Sequence, residues 1–76
     1  MRQIDFRLDG DHIELNRLLK LTGACDSGGA GKMIVAAGRV TVDGRTETRK
    51  TCKIRAGQLV QLDDLRIRVL TEQPVR

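Results

Sequence analysis

Apolar and polar residues alternate near the start of the chain, and this alternation predicts a half-buried β-strand over residues 3–8. Ile4, Phe6 and Leu8 fall on one side of the segment and charged residues on the other. This is the two-residue period of a strand with one face against a core. We expect the strand to lie at the edge of a sheet or to close it.

A first helix is predicted next, because the apolar spacing changes from two residues to three and four. Asp11 and Glu14 have the spacing of a capping box, which would begin the helix. Lys20 would face outward, and Gly23 would end the helix in a left-handed conformation. The predicted inner stripe consists of Leu15, Leu18 and Leu19.

A second helix is predicted to begin at Ser27, whose hydroxyl would accept a hydrogen bond from an amide of the first turn. Gly38 would end this helix. The small residues Gly31, Ala36 and Ala37 would let it lie close to its neighbours. By the spacing i, i+3, i+4 and i+7, its buried face is predicted to consist of Ala30, Met33, Ile34 and Ala37.

Four short strands are predicted from Arg39 onward, where the period returns to two residues. Val40 and Val42 would point inward, and Asp43-Gly44 is a strong signal for a tight hairpin turn. The pattern predicts an α+β fold of order β-α-α-β-β-β-β, in which two N-terminal helices pack on a small, mainly antiparallel sheet. The later strands are predicted on the hairpin return from Thr46 to Ile54, over residues 59–62 and over residues 65–69.

The chain has 76 residues, of which 39% are hydrophobic and 32% charged, and a chain this short supports one core. We expect one domain over residues 1–76. No apolar run approaches the roughly 20 residues that span a bilayer, and the N-terminus does not resemble a signal peptide. We therefore expect a cytoplasmic protein that does not bind a membrane, and we expect it to be a monomer.

The two cysteines, Cys25 and Cys52, are too few for a disulfide scaffold and do not form a CxxC pair. A zinc site would need His12 and a further ligand, so we expect reduced, partly buried thiols and no metal or cofactor. A reactive Cys25 remains an alternative, because a thiolate is favoured near a helix N-terminus. His12 has no nearby carboxylate and nucleophile that would make it a catalytic base, so we expect a surface residue and no enzymatic activity.

The net charge of +4 lies entirely in the second half of the chain. Residues 1–38 carry five basic and five acidic side chains, whereas residues 39–76 carry nine basic and five acidic ones. This asymmetry favours a polyanionic partner, although charged side chains also serve solubility alone. The basic run around the predicted hairpin consists of Arg39, Arg45, Arg49, Lys50, Lys53 and Arg55.

The pair Gly31-Lys32 suggests a phosphate-binding loop, but the spacing excludes it. The motif requires a glycine where Asp26 lies and a serine or threonine where Met33 lies, so we reject nucleotide hydrolysis. Two readings of the glycines remain: they permit a tight turn between helices, or they open a helix start that attracts an anion. The unpaired amides of such a start would be those of Ser27, Gly28 and Gly29.

Phe6 is the only aromatic residue, which argues against readout of single-stranded nucleic acid by base stacking. A nucleic acid would be recognised through its phosphates and backbone shape. Arg66 and Arg68 alternate with core residues on the last predicted strand and are expected to form a solvated sheet face.

The order of these motifs within residues 13–60 matches a known pattern. Its members are Leu15, Leu18, Leu19, Gly23, Ser27, Gly38, Val40-Thr41-Val42-Asp43-Gly44 and Gly57. In this order the chain resembles the small RNA-binding domain named after ribosomal small-subunit protein S4, also called the alpha-L motif. The flanking strands and the string ETRKTCKI are similar to its stand-alone bacterial subfamily, often called YbcJ-like.

The resemblance implies a non-enzymatic RNA-binding protein that docks structured RNA, ribosomal or transfer RNA, within a ribosome or an RNA-modifying complex. It implies contacts at the start of the second helix and on the hairpin. Many members have an arginine directly after the serine, where this chain has Gly28. The implied RNA-binding residues are Lys20, Ser27, Gly28, Lys32, Arg45, Arg49, Lys50 and Lys53.

Two other classes of protein fit the size of the chain. A ubiquitin-like or sulfur-carrier module would need a flexible C-terminal Gly-Gly, whereas this sequence ends in Pro74-Val75-Arg76. The other class is an RNA-binding subunit of an RNA-modifying complex, whose catalytic subunit would be another chain.

Overall fold

The computed structural model describes residues 2–25 and 28–71. Its elements in chain order are β1 (Arg2–Leu8), β2 (Ile13–Glu14), α1 (Leu15–Leu21), α2 (Gly28–Ala36), β3 (Val40–Val42), β4 (Arg45–Thr46), β5 (Lys53–Ile54), β6 (Leu59–Leu62) and β7 (Leu65–Thr71).

The strands form two sheets. Five of them make the main sheet in the order β1-β7-β6-β3-β4. All its pairs are antiparallel except β1 with β7, which run parallel with Ile4 beside Ile67. Strands β2 and β5 form a separate antiparallel pair with Ile13 opposite Ile54. The predicted α+β fold with a mainly antiparallel sheet is confirmed, and the first strand lies at a sheet edge.

The predicted hairpin return is two strands instead of one. Strand β4 ends at Thr46, and the chain leaves the main sheet before β5 begins at Lys53. Ile54 is fully buried and pairs with β2, directly before α1. The inward alternation seen in the sequence around Ile54 therefore belongs to the small sheet.

An apolar core joins the helices to the sheets. The predicted stripe of α1 is fully buried, and Val40 and Val42 point inward as predicted. Burying one such side chain fully contributes about 1.5–3 kcal/mol, so this cluster is the main stabilising feature. Its members are Leu8, Ile13, Leu15, Leu18, Leu19, Val35, Val40, Val42, Ile54, Val60, Leu62, Leu65, Ile67 and Val69.

The buried face of α2 is rotated from the predicted one. Val35 is fully buried, whereas Met33 is 75% exposed and Ala37 is also exposed. Ala30 and Ile34 are only half-buried. The prediction was therefore wrong for Met33 and Ala37, whereas Ile34 packs against the core as predicted. In a helix of mostly small residues a second stripe, one position further along, competes with the first.

Gly31 lies on the buried stripe of α2 and explains the rotation. A Cβ added at this residue would lie 3.1 Å from the backbone oxygen of Asn16 on α1 and 3.2 Å from the Sγ atom of Cys25. The predicted close approach at Gly31 is confirmed. Ala36 and Ala37 do not contribute to such an approach, because both are exposed.

The capping box predicted before α1 does not form. Glu14 belongs to β2 and makes no side-chain hydrogen bond to the helix. The carboxylate of Asp11 instead accepts a hydrogen bond of 2.7 Å from Arg55. The box is unnecessary, because backbone carbonyls from a distant segment bind the first amides of α1.

The turns lie at the residues where the sequence predicts them. Gly23 and Gly38 end their helices with φ of 81° and 78°, and Asp43 and Gly44 form the hairpin turn with φ of 53° and 84°. Glycine adopts this left-handed region without the steric cost that a Cβ imposes. These predictions are confirmed, while the predicted cap at Ser27 lies outside the described residues.

Candidate nucleic-acid interface

The connecting segment, residues 47–52, joins β4 to β5 and carries part of the basic run. Its backbone is fixed to the start of α1: the Asn16 amide donates to the Lys50 carbonyl at 3.0 Å, and the Leu15 amide donates to the Cys52 carbonyl at 2.9 Å. The first amides of a helix have no partner inside it. The two hydrogen bonds therefore give partners to the first amides of α1 and to two carbonyls of the connecting segment, and they hold this irregular segment in place.

Lys50 and Lys53 are exposed on this segment and at the strand that follows it. In the described part of the chain, neither is in an ion pair. Lys53 lies opposite Glu14 in the register of the small sheet, yet the two charges do not form an ion pair. Both lysines are therefore available to a partner.

Asn16 lies where the connecting segment and the two helices meet. Its backbone amide donates to the backbone carbonyl of Lys50, and its own backbone oxygen lies against Gly31 of α2. Lys20 lies one turn further along the same face of α1, and Lys32 follows Gly31. Both lysines are exposed, and no ion pair involves them among residues 2–25 and 28–71. We call Lys20, Lys32, Lys50 and Lys53 the lysine cluster.

The role of Asn16 was not predicted from the sequence. Its Oδ1 atom is buried, with no hydrogen-bond partner among the described residues. A short polar side chain next to Leu15, inside a leucine-rich helix, is the sequence signal that marks this junction.

Three more predicted site residues lie on the hairpin, at the start of α2 and outside the described residues. Arg45 is exposed on β4, at one edge of the main sheet and opposite Val42. Gly28 is the first residue of α2, and Ser27 lies outside the described residues. The structure therefore brings the helix side and the connecting segment together around Asn16, and leaves Arg45 on the hairpin.

Arg49 is exposed but its charge is matched within the connecting segment. Its Nε atom donates to Oε2 of Glu47 at 2.9 Å, and its Nη2 atom donates to Oε1 at 3.3 Å. Its backbone amide also donates to Oε2 of Glu47. These hydrogen bonds lower the pKa of Glu47 to about 2 and raise the pKa of Arg49. Both groups are therefore charged at neutral pH.

Two more arginines of the basic run are also matched. Arg39 pairs with Asp63, and Arg55 pairs with Asp11 at 2.7 Å. The hydrogen bond from Arg55 lowers the pKa of Asp11. The surplus positive charge of this region therefore resides on fewer side chains than the sequence suggests.

The last strand presents arginines on the outer face of the main sheet. Arg68 donates two hydrogen bonds to Asp5 of β1, at 2.9 and 3.0 Å, and these lower the pKa of Asp5. Arg66 is half-buried beside Gln61. Arg68 agrees with the expected solvated face, whereas the Nε atom of Arg66 is buried with no hydrogen-bond partner among the described residues.

The remaining chemical groups do not assemble into a site. Cys25 and Cys52 are half-buried against the core, and burial, with a smaller effect of the Glu47 charge, raises the pKa of Cys52. His12 is exposed, as predicted. Within residues 2–25 and 28–71, no three histidine, cysteine or acidic side chains converge on a metal position. No helix in that part of the chain is long and apolar enough to cross a membrane.

The comparison that decides the family is the match of residues 6–70 to the model of the S4 domain. The chain belongs to the S4 domain family. This match confirms the resemblance noted in the sequence.

Individual proteins similar to this S4 domain support the family assignment. YbcJ of Escherichia coli (strain K12), which carries a provisional name as an RNA-binding protein, is 57% identical over 49 residues, covering 64% of this chain and 70% of YbcJ. The solution structure of E. coli YbcJ is similar with a TM-score of 0.67 and 42% identity over 93% of this chain and 89% of that one. That structure is described as revealing an alpha-L motif involved in RNA binding.

A more distant S4 domain neighbour shows the fold alone. The ribosomal protein S4e from Thermoplasma acidophilum has a TM-score of 0.54 at 22% identity, covering 71% of this chain and 29% of that protein. The same helix pair and sheet therefore also occur inside a larger ribosomal protein.

Proposed function

We propose that this protein binds structured RNA through the lysine cluster and the start of α2, without catalysing a reaction. The observation that carries the proposal is the arrangement around Asn16, where α1, α2 and the connecting segment each present an exposed lysine without an ion-pair partner in the described residues. The backbone of the connecting segment is fixed to α1, so the lysines of different elements approach one ligand together.

Phosphates are the groups that such a surface recognises. Lysine is a compact, strongly hydrated charge that binds phosphate and releases counterions from the nucleic acid. Phe6, the only aromatic residue, is half-buried on β1, so it does not form an exposed platform for stacking bases. The mode of recognition that remains is the shape and phosphate spacing of folded RNA.

The start of α2 adds a second kind of contact. Gly28 and Gly29 carry no side chains of their own, so their backbone amides would be open to an anion, which the helix dipole favours at this end. In this proposal these amides, together with Ser27, take the place of the arginine that many family members have after the serine. Arg45 extends the surface along the hairpin.

The relatives set the expected ligand and setting. YbcJ is described in terms of RNA binding and the fold recurs in a ribosomal protein, so we propose ribosomal or transfer RNA as the ligand and a cytoplasmic ribosome or RNA-modifying complex as the setting. We further propose that the protein acts as a monomer, with residues 1–76 forming one domain around the motif at 13–60.

The test is RNA binding over a salt series with labelled unfractionated transfer RNA, and a DNA duplex of similar length as competitor. We expect log K to fall linearly with log salt, and Lys50→Ala to flatten the slope by roughly 0.7–0.9, the value of one lost phosphate contact. Arg2→Ala is the matched control, because Arg2 is exposed at the end of β1 beside the turn between β6 and β7, whereas the lysine cluster lies on the helices, the connecting segment and the small sheet. Absence of salt-dependent binding to transfer RNA and to ribosomal RNA fragments would contradict the proposed function.

A further inference from the structure

The ion pair between Glu47 and Arg49 distinguishes Arg49 from the lysine cluster. The side chain of Arg49 is 76% exposed, whereas that of Glu47 is only 17% exposed. The Glu47 side chain is therefore largely shielded from solvent, whereas the guanidinium that binds it remains exposed. A ligand that approaches Arg49 meets a cation whose charge is already offset.

The geometry of the pair makes it persistent. Both carboxylate oxygens accept from the same guanidinium, and one of them also accepts from the Arg49 backbone amide at 2.9 Å. A two-point contact between arginine and a carboxylate is stronger and more directional than a single charged hydrogen bond. The two residues lie only two positions apart in a segment that is fixed to α1, so little further entropy is lost when the pair forms.

We propose that Glu47 sets the strength of the RNA surface by holding Arg49 in an internal ion pair, so that Arg49 shapes the connecting segment and does not contact RNA phosphates. This inference rests on the proposed RNA-binding function. Its physical basis is that a cation contributes to counterion release only when it neutralises a phosphate. While Glu47 remains paired, Arg49 adds almost nothing to that count, and the lysine cluster provides the salt-dependent part of binding.

Four proteins separate this role from a direct contact: the wild type, Glu47→Gln, Arg49→Ala and the double variant with both changes. Glutamine keeps the size of the side chain and one acceptor oxygen for the Arg49 amide, but removes the charge. We expect Glu47→Gln to bind labelled unfractionated transfer RNA more tightly, with a log-log salt slope steeper by roughly 0.7–0.9 as Arg49 becomes available. The double variant replaces a neutral pair by two neutral residues, so we expect it to keep the wild-type slope.

The matched control is Asp5→Asn, which breaks a similar two-point pair with Arg68 on the outer face of the main sheet. It changes the net charge by the same amount, and we expect the wild-type slope. Circular dichroism verifies that each variant is folded. If Glu47→Gln does not fold, the salt series is measured with Glu47→Ala in its place.

Each outcome decides a separate claim. An unchanged slope in Glu47→Gln, or a flatter slope in the double variant, overturns the role of Glu47 while leaving RNA binding intact. An equal steepening in Asp5→Asn also overturns it, because the effect would then follow net charge alone. Absence of salt-dependent binding by the wild type overturns the proposed function and the inference together.

Discussion

Gly31 determines how closely the two helices approach each other. A methyl group at this position would lie 3.1 Å from a backbone oxygen of α1 and 3.2 Å from the Sγ atom of Cys25, both closer than ordinary van der Waals contact. Gly29, two residues earlier in the same helix, is exposed. The two glycines therefore serve different purposes in one element.

Alanine at the two positions tests this difference. We expect Gly29→Ala to stabilise the protein by up to about 1 kcal/mol, because alanine favours a helix over glycine. Gly31→Ala gains the same propensity but overpacks the helix contact, which costs about 1–3 kcal/mol. We therefore expect the Gly31 variant to be the less stable of the two by at least about 1 kcal/mol in urea unfolding. Equal stabilities would show that the helices separate without cost.

Residues of this kind are the ones that the sequence reveals most directly. Gly23, Gly38 and the Asp43-Gly44 pair were predicted correctly because a positive φ restricts the choice of residue locally. Asn16 and Glu47 were not recognised, because their roles depend on partners that only the folded chain brings to them.

At the scale of elements, α2 shows where periodicity fails. Its nine residues include three glycines and two alanines, so apolar contrast around the helix is weak and the predicted stripe contained Met33 in place of Val35. The contact with α1 determines which stripe is buried, and this contact is not visible in the spacing.

Val35 and Met33 should differ in how much stability is lost when the side chain becomes less apolar. Val35→Ala removes a fully buried side chain, and we expect a loss of roughly 1.5–3 kcal/mol in the free energy of unfolding. Met33→Gln changes a side chain that is 75% exposed and should shift that energy by less than about 0.5 kcal/mol. Chemical denaturation of both variants measures these losses. A larger loss of stability in Met33→Gln than in Val35→Ala would show that the face predicted from the sequence is the buried one.

The connecting segment could not be predicted for a related reason. Alternation continued from Thr46 toward Ile54, which favoured one long strand, but carbonyls in the segment bind the first amides of α1 instead. Local pattern shows where basic residues follow one another along the chain, but it could not reveal which of them an acidic neighbour matches.

At the scale of the whole molecule, ion pairs join distant parts of the chain. Arg68 pairs with Asp5, 63 residues away, and Arg55 pairs with Asp11, 44 residues away. The sequence-level resemblance predicted the architecture well, because the leucine, glycine and hairpin positions define the helix pair and the sheet. It could not predict these pairs, which depend on register between strands.

The paired carboxylates make stability depend on acid pH. Arginine partners lower the pKa values of Asp5, Asp11 and Glu47 in the folded state, the last from 4.5 to about 2. A carboxylate with a lowered folded pKa stabilises the fold fully above its unfolded value, and this contribution is lost as the pH falls through the folded value. We therefore expect Tm to fall between about pH 5 and about pH 2 at low salt.

Glu47→Gln should show a smaller acid-induced fall in Tm than the wild type, because one of the titrating groups is absent. Thermal unfolding followed by circular dichroism at low and high salt measures this. An identical fall in both proteins would show that the Glu47 pair does not contribute to stability.

In the proposed function, lysines from α1, α2 and the connecting segment form one phosphate-binding surface, and the salt dependence of RNA binding tests this surface. The measurement compares the wild type with a combined Lys20→Ala, Lys32→Ala and Lys50→Ala variant, which removes one lysine from each element, and with Arg2→Ala on β1 as the control. We predict a slope flatter by roughly 0.7–0.9 for each lysine removed and an unchanged slope for the control. If the combined variant keeps the wild-type slope, these lysines do not contact RNA phosphates and the proposed surface is wrong.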